Sequence, residues 1–344
     1  MHKIDIVYLW VDGSDKKWLA IKNKWLKKLG HSIPEHRGVT SDERYRDNGE
    51  FLYSVRSVAE NMPWVNHIYI ITGFGQVPKW LNTKHPKITI VPHEQIMPAD
   101  ALPTFNSTAI EMCIPNIPNL SEHFVVMNDD IFVNKKLSPS FFFDRHGNAK
   151  TRHVTRHLRG KKFGNWLDSA NSYLSMLLLS TKMIEVLYGR KFYKYAPSHS
   201  IDPYLKSMWI KCRNNPIIKP IIDNQIKNKF RTSSELHRWM FGLYQTTNGR
   251  GKMYRARPHK SSRHKISDAI YNFLHWYKTG RSSYVCPCVR GHKKSLRRAA
   301  IFCINDSSDN TPEMLRENFD YISNRFSRTC EFEKPTPRKT TKHK

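Results

Sequence analysis

The sequence predicts an α/β protein built on a mostly parallel sheet. Two observations predict it. Short runs rich in apolar and β-branched residues recur at 4–9, 67–72, 87–91 and 124–127, as buried strands do. Amphipathic helical stretches alternate with these runs through short connections, the pattern of strand–helix–strand units.

The run 124–132, FVVMNDDIF, organises the rest. Its apolar half reads as a strand, which puts Asn128, Asp129 and Asp130 at a carboxyl end, where open α/β sheets bind ligands. Two adjacent carboxylates there are costly unless paired, hydrogen-bonded or holding a cation. Mg²⁺ between such carboxylates and a diphosphate is one answer. A turn or helix cap is the other, and these residues alone favour it slightly.

The elements follow in order. Ile4–Leu9 is the first strand and runs into a turn at Asp12-Gly13. Trp18, Ile21, Trp25 and Leu29 form the apolar face of a basic helix. Asp47 or Asn48 caps a helix carrying Leu52, Val55 and Val58, with Glu50 in its first turn. Arg44, Arg46 and Arg56 read as a solvated face, or as a cluster touching sugar or phosphate. After the strand 67–72, Trp80-Leu81 reads as a short helix. Asn106 or Ser107 caps the helix bearing Glu111.

Beyond residue 150 the pattern loosens. Residues 165–179 are apolar enough for a buried helix, and 195–203 form a loop before a helix reaching Trp209. Thr232-x-x-Glu235 is a capping box, which places Arg231 just before a helix. Ile270, Phe273, Leu274 and Tyr277 share one face of a helix amid basic residues, suited to a core or to an anionic membrane. Ala300–Ile304 is a last strand ending in Asn305-Asp306. Thr311-Pro312 opens a helix whose buried stripe is Leu315, Phe319, Ile322 and Phe326. The division is therefore 1–150, 151–332 and a basic, disordered tail at 333–344.

Charge and cysteines narrow the partners. Residues 1–150 hold 18 Lys/Arg against 16 Asp/Glu, while residues 151–344 hold 39 against 13. The second half should meet something anionic: phospholipid, a phosphorylated glycan or nucleic acid. No apolar run spans a membrane, and the start does not read as a signal peptide, which predicts a cytoplasmic protein. Six cysteines suggest no disulfide framework, and Cys286-Pro-Cys288 is too tight for the usual zinc half-site.

Several stretches together resemble the Stealth family, phosphotransferases that include bacterial capsule enzymes and the catalytic subunit of lysosomal-enzyme GlcNAc-1-phosphotransferase. They are IDIVYLWVDGSD (4–15), RYRDNGEFLYSVRSVAENMPWVNHIYIITGFGQVPKWLN (44–82), and LPTFNSTAIE with LSEHFVVMNDDIF (102–132). Weaker matches are PSHSID (197–202), KFRTSSELHRWMFGLY (229–244) and FCINDSSD (302–309).

The resemblance implies a Rossmann-like nucleotide-diphosphosugar transferase core with a mostly helical, basic second half. It implies transfer of a sugar 1-phosphate from a UDP-sugar to a glycan hydroxyl, with UMP released. Asp129, Asp130 and Asp306 would hold Mg²⁺ or Mn²⁺, Asp130 thereby acting catalytically. Arg231 would stabilise the transferring phosphoryl group, and His199 would be the general base. Asp12, Arg44, Asp47, Asn48, Glu50, Asn106 and Glu111 would line the donor or sugar pocket. Asn48 and Asp15 keep a second reading as cap and turn residues. Asn165-Trp166-Leu167-Asp168 is less basic than the block after Phe163-Gly164 leads one to expect, and Asn171 is kept there as a contact.

Two competing readings have their own discriminators. A metal-dependent glycosyltransferase would release UDP. A basic nucleic-acid-binding protein would show salt-sensitive binding but leave the paired carboxylates unexplained, and no binding module is recognisable. Docking on anionic membrane, at the inner face where a lipid-linked glycan grows, is an addition to either enzyme reading.

Overall fold

A computed structural model describes residues 2–30, 40–155, 172–198, 200–256, 285–286, 299–304, 306 and 310–335. Its centre is a five-stranded sheet of β1 (Ile4–Leu9), β2 (Ile68–Thr72), β3 (Ile88–Pro92), β4 (His123–Asn128) and β8 (Asp202–Leu205), in the order β3-β2-β1-β4-β8. The first four are parallel; β8, drawn from the second half, pairs antiparallel with β4. The order places β1 between β2 and β4, so the chain reverses its direction of winding at β1. In a Rossmann-like sheet this is the crevice where ligands sit.

Side-chain alternation explains the layers. Ile6 of β1 lies level with Ile68 and Val125, and Val7 with Tyr69 and Val126. The Ile6 set packs with Phe51, Val55 and Val58 of the helix Glu50–Asn61. The Val7 set packs with the helix Ser107–Met112 and with Trp239, Phe241 and Leu243 of the helix Trp239–Thr247. Asp5, fully buried on β1, is satisfied by Asn66 Nδ2 and Ser121 N, each at 2.7 Å.

Two further sheets of three strands flank the centre. One joins β5 (Ile131–Val133), β10 (Val285–Cys286) and β11 (Ile301–Cys303); the other joins β6 (Ala149–Thr155), β7 (Tyr195–Pro197) and β9 (Gly251–Arg255). β4 and β5 are separated only by Asp129 and Asp130. Three buried polar side chains of the helix Glu50–Asn61 hold β5 in place. Ser54 Oγ donates to Ile131 O at 2.6 Å, Val133 N donates to Ser57 Oγ at 2.9 Å, and Asn61 Nδ2 donates to Val133 O at 2.8 Å. The two-carboxylate turn is thus anchored on both sides.

Several local expectations are corrected. Gly49 in the left-handed region, φ 94°, caps the helix Glu50–Asn61, while Asp47 accepts from its N–H at 2.8 Å. Trp80 and Leu81 form a turn, and Leu81 bridges to Glu333. The expected loop at 195–203 contains β7 and the start of β8. No helix follows Thr232: the next begins at Trp239, and Glu235 is claimed by tertiary partners described below. Arg56 is no solvated side chain but pairs with Glu333 at 2.7 Å. Glu333, where a tail was expected, is therefore fixed; residues 336–344 lie outside the described residues, as does the helix expected to carry Ile270, Phe273, Leu274 and Tyr277.

Thr311 does cap the helix Pro312–Arg325, accepting from Met314 N at 3.3 Å. Ile322 and Phe326 are buried as expected, but Phe319 is 40% exposed, its ring edge against Tyr53. Among the described residues no helix is long and apolar enough to cross a membrane. Cys113, Cys212, Cys303 and Cys330 are free thiols.

Candidate active site

A cleft of about 920 Å³ opens over the carboxyl ends of β1, β2 and β4. Asn128, Asp129 and Asp130 reach it from β4, Trp10 and Val11 from β1, and Gly73 and Phe74 from β2. The second half closes the other side with Tyr173, Asp202, Arg231, His237 and Arg238.

The carboxylates gather where the β4–β5 turn meets the helix Glu50–Asn61. Burial pushes the Asp129 carboxyl well above its ordinary range, and Asp130, Asp47 and Glu50 push it further. Glu50 is raised too, by burial, although Asn48 donates to it from N at 2.6 Å and from Nδ2 at 3.0 Å. Asp130 accepts from Cys303 Sγ at 3.2 Å, and its carbonyl accepts from Ile304 N at 2.9 Å. Among the described residues no three His, Cys, Asp or Glu side chains are arranged as a ready metal site; crowded hard oxygen donors are the kind of group that Mg²⁺ binds through one or two carboxylates.

The guanidiniums occupy another part of the same cleft. Burial and then the charge of Arg231 lower the Arg44 pKa to about 10, so Arg44 stays protonated at neutral pH. Arg231 Nη2 donates to Ser107 Oγ at 2.5 Å, at the start of the helix Ser107–Met112. Its Nε is buried without a hydrogen-bond partner among the described residues. Two like charges brought together in one cleft suit an anion such as a diphosphate.

The cleft brings together seven of the anticipated residues: Arg44, Glu50, Glu111, Asp129, Asp130, Arg231 and Asp306. Asp306 is engaged by Arg46 at 2.7 Å and by Asn310 Nδ2 at 3.0 Å. Four others support the walls. Asp12 accepts from Ser14 N at 2.9 Å and shapes the turn after β1. At that turn Gly13 approaches Tyr45 so closely that a Cβ would lie 2.3 Å from the Tyr45 carbonyl oxygen. Asp47 accepts from Trp10 Nε1 at 2.7 Å. Asn48 holds Glu50. Asn106 caps the helix Ser107–Met112, accepting from Thr108 N at 3.1 Å, and donates to Glu235 at 2.8 Å. His199 and Asn171 lie outside the described residues; Pro197 and Asp202, near His199 in sequence, both line the cleft.

Sequence reasoning missed Arg238 and Asp202. Arg238 is buried, donates from Nη1 to Glu111 Oε1 and forms an ion pair with Asp202. The available signal was a charged residue opening the apolar stretch Trp239-Met240-Phe241, since a buried charge needs partners. Glu111 Oε2 is buried with no hydrogen-bond partner among the described residues, an acceptor left for a ligand hydroxyl. Glu235 was read as a local cap. Besides the local bond from Thr232 N, it accepts from Asn106, Asn228 and Thr108, and tethers the loop of Arg231 to the helix Ser107–Met112.

Comparison with known proteins adds to this geometry. The family model described as Stealth protein CR1, conserved region 1, matches residues 2–30, and that of Stealth protein CR2, conserved region 2, matches 44–151. The chain is 30% identical to the exopolysaccharide phosphotransferase cps2G of Lactiplantibacillus plantarum, over 96% of each chain. It is 31% identical to the capsular polysaccharide phosphotransferase fcs1 of Haemophilus influenzae, over 94% of this chain and 83% of that one. With WcwK of Streptococcus pneumoniae, also a capsular polysaccharide phosphotransferase, identity is 33% over 71% and 78%.

Proposed function

The chain belongs to the Stealth family, and from that membership we propose that it transfers a sugar 1-phosphate from a UDP-sugar to a hydroxyl of a cell-surface glycan, releasing UMP. The observation that carries the reading is one cleft holding the Arg44–Arg231 pair and the Asp129–Asp130 turn. A diphosphate needs both kinds of group, cations on its oxygens and carboxylates for a metal.

Asp129 and Asp130 would hold Mg²⁺ or Mn²⁺. The fit rests on the raised Asp129 carboxyl among Asp130, Asp47 and Glu50, a crowding that a divalent cation relieves. Bound there, the cation would neutralise diphosphate charge. Asp306 joins the ligands only by exchanging Arg46. Arg231 would direct its Nε–H, which has no hydrogen-bond partner among the described residues, and Arg44 its charge to the phosphoryl group, where charge moves during transfer. The acceptor oxygen forms the new bond to phosphorus as the bond to UMP breaks, and His199 takes the hydroxyl proton. Glu111, held by Arg238, accepts a sugar hydroxyl at Oε2.

Residues 151–332 would complete the site: Tyr173, Pro197, Asp202, Arg231, His237 and Arg238 line the cleft. The excess of basic residues in the second half is assigned to an anionic acceptor or to the inner membrane surface where a lipid-linked glycan grows. Flotation with vesicles of graded acidic-lipid content tests that assignment; binding independent of acidic lipid removes it.

The reaction itself is tested by nucleotide release. The purified chain is incubated with UDP-sugars, Mg²⁺ or Mn²⁺, and glycan from the source cell. Acceptor-dependent UMP is the expected product. UDP in its place would make the protein a glycosyltransferase and end the phosphoryl-transfer mechanism.

A further inference from the structure

An aromatic array borders the arginine pair, and the mechanism leaves it without a task. Phe230 stacks on Phe105 at 5.2 Å and 14°, and Phe105 stacks on Phe74 at 5.7 Å and 23°. Phe230 and Phe105 are buried, while Phe74, at the end of the stack, is half-buried and lines the cleft. Phe105 is fixed from several sides. Trp18 meets it edge-on at 5.5 Å, its N–H donates to Lys229 O at 2.9 Å, and its carbonyl accepts from Tyr45 Oη at 3.1 Å.

The loop that presents Phe74 is built for that purpose. Phe74 sits at φ 59°, a left-handed conformation that costs a non-glycine residue free energy and tends to persist at functional sites. Gly75 follows at φ 71°. Before it, a Cβ on Gly73 would lie 2.7 Å from the ring of His93, so the backbone rests directly on that buried imidazole. A plain connecting turn would relax with Asn or Gly at position 74; this one keeps a large ring.

The aromatic and cationic parts adjoin at two independent points of the chain. Arg44 is followed by Tyr45, whose ring lies 5.0 Å from Trp18, and Phe230 is followed by Arg231. A ligand whose anionic part is held by Arg44 and Arg231 therefore has a flat, apolar surface beside it. A nucleoside diphosphate has that shape, with a π-face next to its phosphates.

We propose that the nucleobase of the donor stacks on Phe74, extending the Phe230–Phe105–Phe74 array, and that Phe74 is a binding residue for the nucleoside part. This rests on the nucleotide-sugar reading above. Stacking tolerates any base, so it supplies affinity, and the choice of base falls to other contacts.

The test is equilibrium binding of UDP and of inorganic pyrophosphate, which has no base, at fixed Mg²⁺. Phe74→Ala should weaken UDP binding about tenfold or more while leaving pyrophosphate affinity unchanged. Phe74→Tyr should keep UDP affinity. Phe74→Gly relieves the backbone conformation, so it separates loss of the ring from misfolding, and it should match Phe74→Ala. Wild-type UDP affinity in both truncated variants overturns the stacking role and leaves the donor reading intact. Equal losses of UDP and pyrophosphate overturn it also, because the effect would then be on the loop. A wild-type protein that binds neither UDP nor pyrophosphate overturns the donor reading and the stacking role with it.

Discussion

Arg238 donates from Nε to Asp202 Oδ2 at 3.2 Å and from Nη1 to Glu111, so one buried guanidinium ties β8 to the helix Ser107–Met112 across the cleft. Desolvation works against its charge, but Glu111 and then Asp202 outweigh that effect, and its pKa is raised. Arg238→Met would strand two carboxylates in an apolar setting. We expect an unfolding free energy lower by about 3–5 kcal/mol, read from urea midpoints. Arg238→Lys should recover only part, because one ammonium lacks the fork that reaches both partners. A wild-type midpoint for Arg238→Met would show that the ion pair contributes no net stability.

Arg231 is the side chain whose loss should be felt in turnover more than in folding. Its Nη2 is oriented by Ser107 and its Nε has no partner among the described residues. Arg231→Lys keeps a charge but loses the planar array of donors. A kcat lowered about 10²–10³-fold with a nearly unchanged donor KM is the expected signature of a contact made in the transition state. Near wild-type kcat, with His199→Ala equally mild, would remove the proposed mechanism.

Legibility of the fold followed the range of the interactions. β1, β2 and β4 were readable because buried parallel strands are predominantly apolar and β-branched, and the carboxyl end of β4 placed Asp129 and Asp130 without further information. The Arg238 ion pair was not, since its partners lie 127 and 36 residues away in sequence. Thr232-x-x-Glu235 shows the opposite failure. The local pattern was real, as Thr232 N does donate to Glu235 at 3.1 Å. Asn106, Thr108 and Asn228 nevertheless take the same carboxylate, so the segment stays a loop and ties Arg231 to the helix Ser107–Met112. Asn106 served both readings, capping a helix while bracing the wall of the site.

The carboxylate cluster predicts a thermal response to metal. Mg²⁺ or Mn²⁺ bound at Asp129 and Asp130 should raise Tm in a concentration-dependent way, a stabilisation of about 2.7 kcal/mol at a hundredfold excess over Kd. Asp130→Asn should abolish the shift and the metal-dependent turnover, while Asp306→Asn, which disturbs the Arg46 pair, should reduce it less. An unshifted Tm in wild type, with turnover undiminished by EDTA, would remove the metal from the site.

His93 predicts an acid-sensitive fold beneath the Phe74 loop. Burial lowers its pKa from 6.5 to about 4. Above about pH 6.5 the imidazole is neutral in both folded and unfolded chains, and its contribution is fully present. Between that value and about 4, the unfolded chain takes up a proton that the folded protein excludes, so stability is lost as the pH falls. The loss from His93 between neutral pH and about pH 5 should be about 2 kcal/mol. His153, also lowered to about 4 by burial, adds to the same acid limb. His93→Gln, which cannot titrate, should flatten the pH dependence of the urea midpoint by its own share and leave that of His153. An unchanged acid limb in His93→Gln would mean that the imidazole under Gly73 is solvated and protonates freely in the folded state.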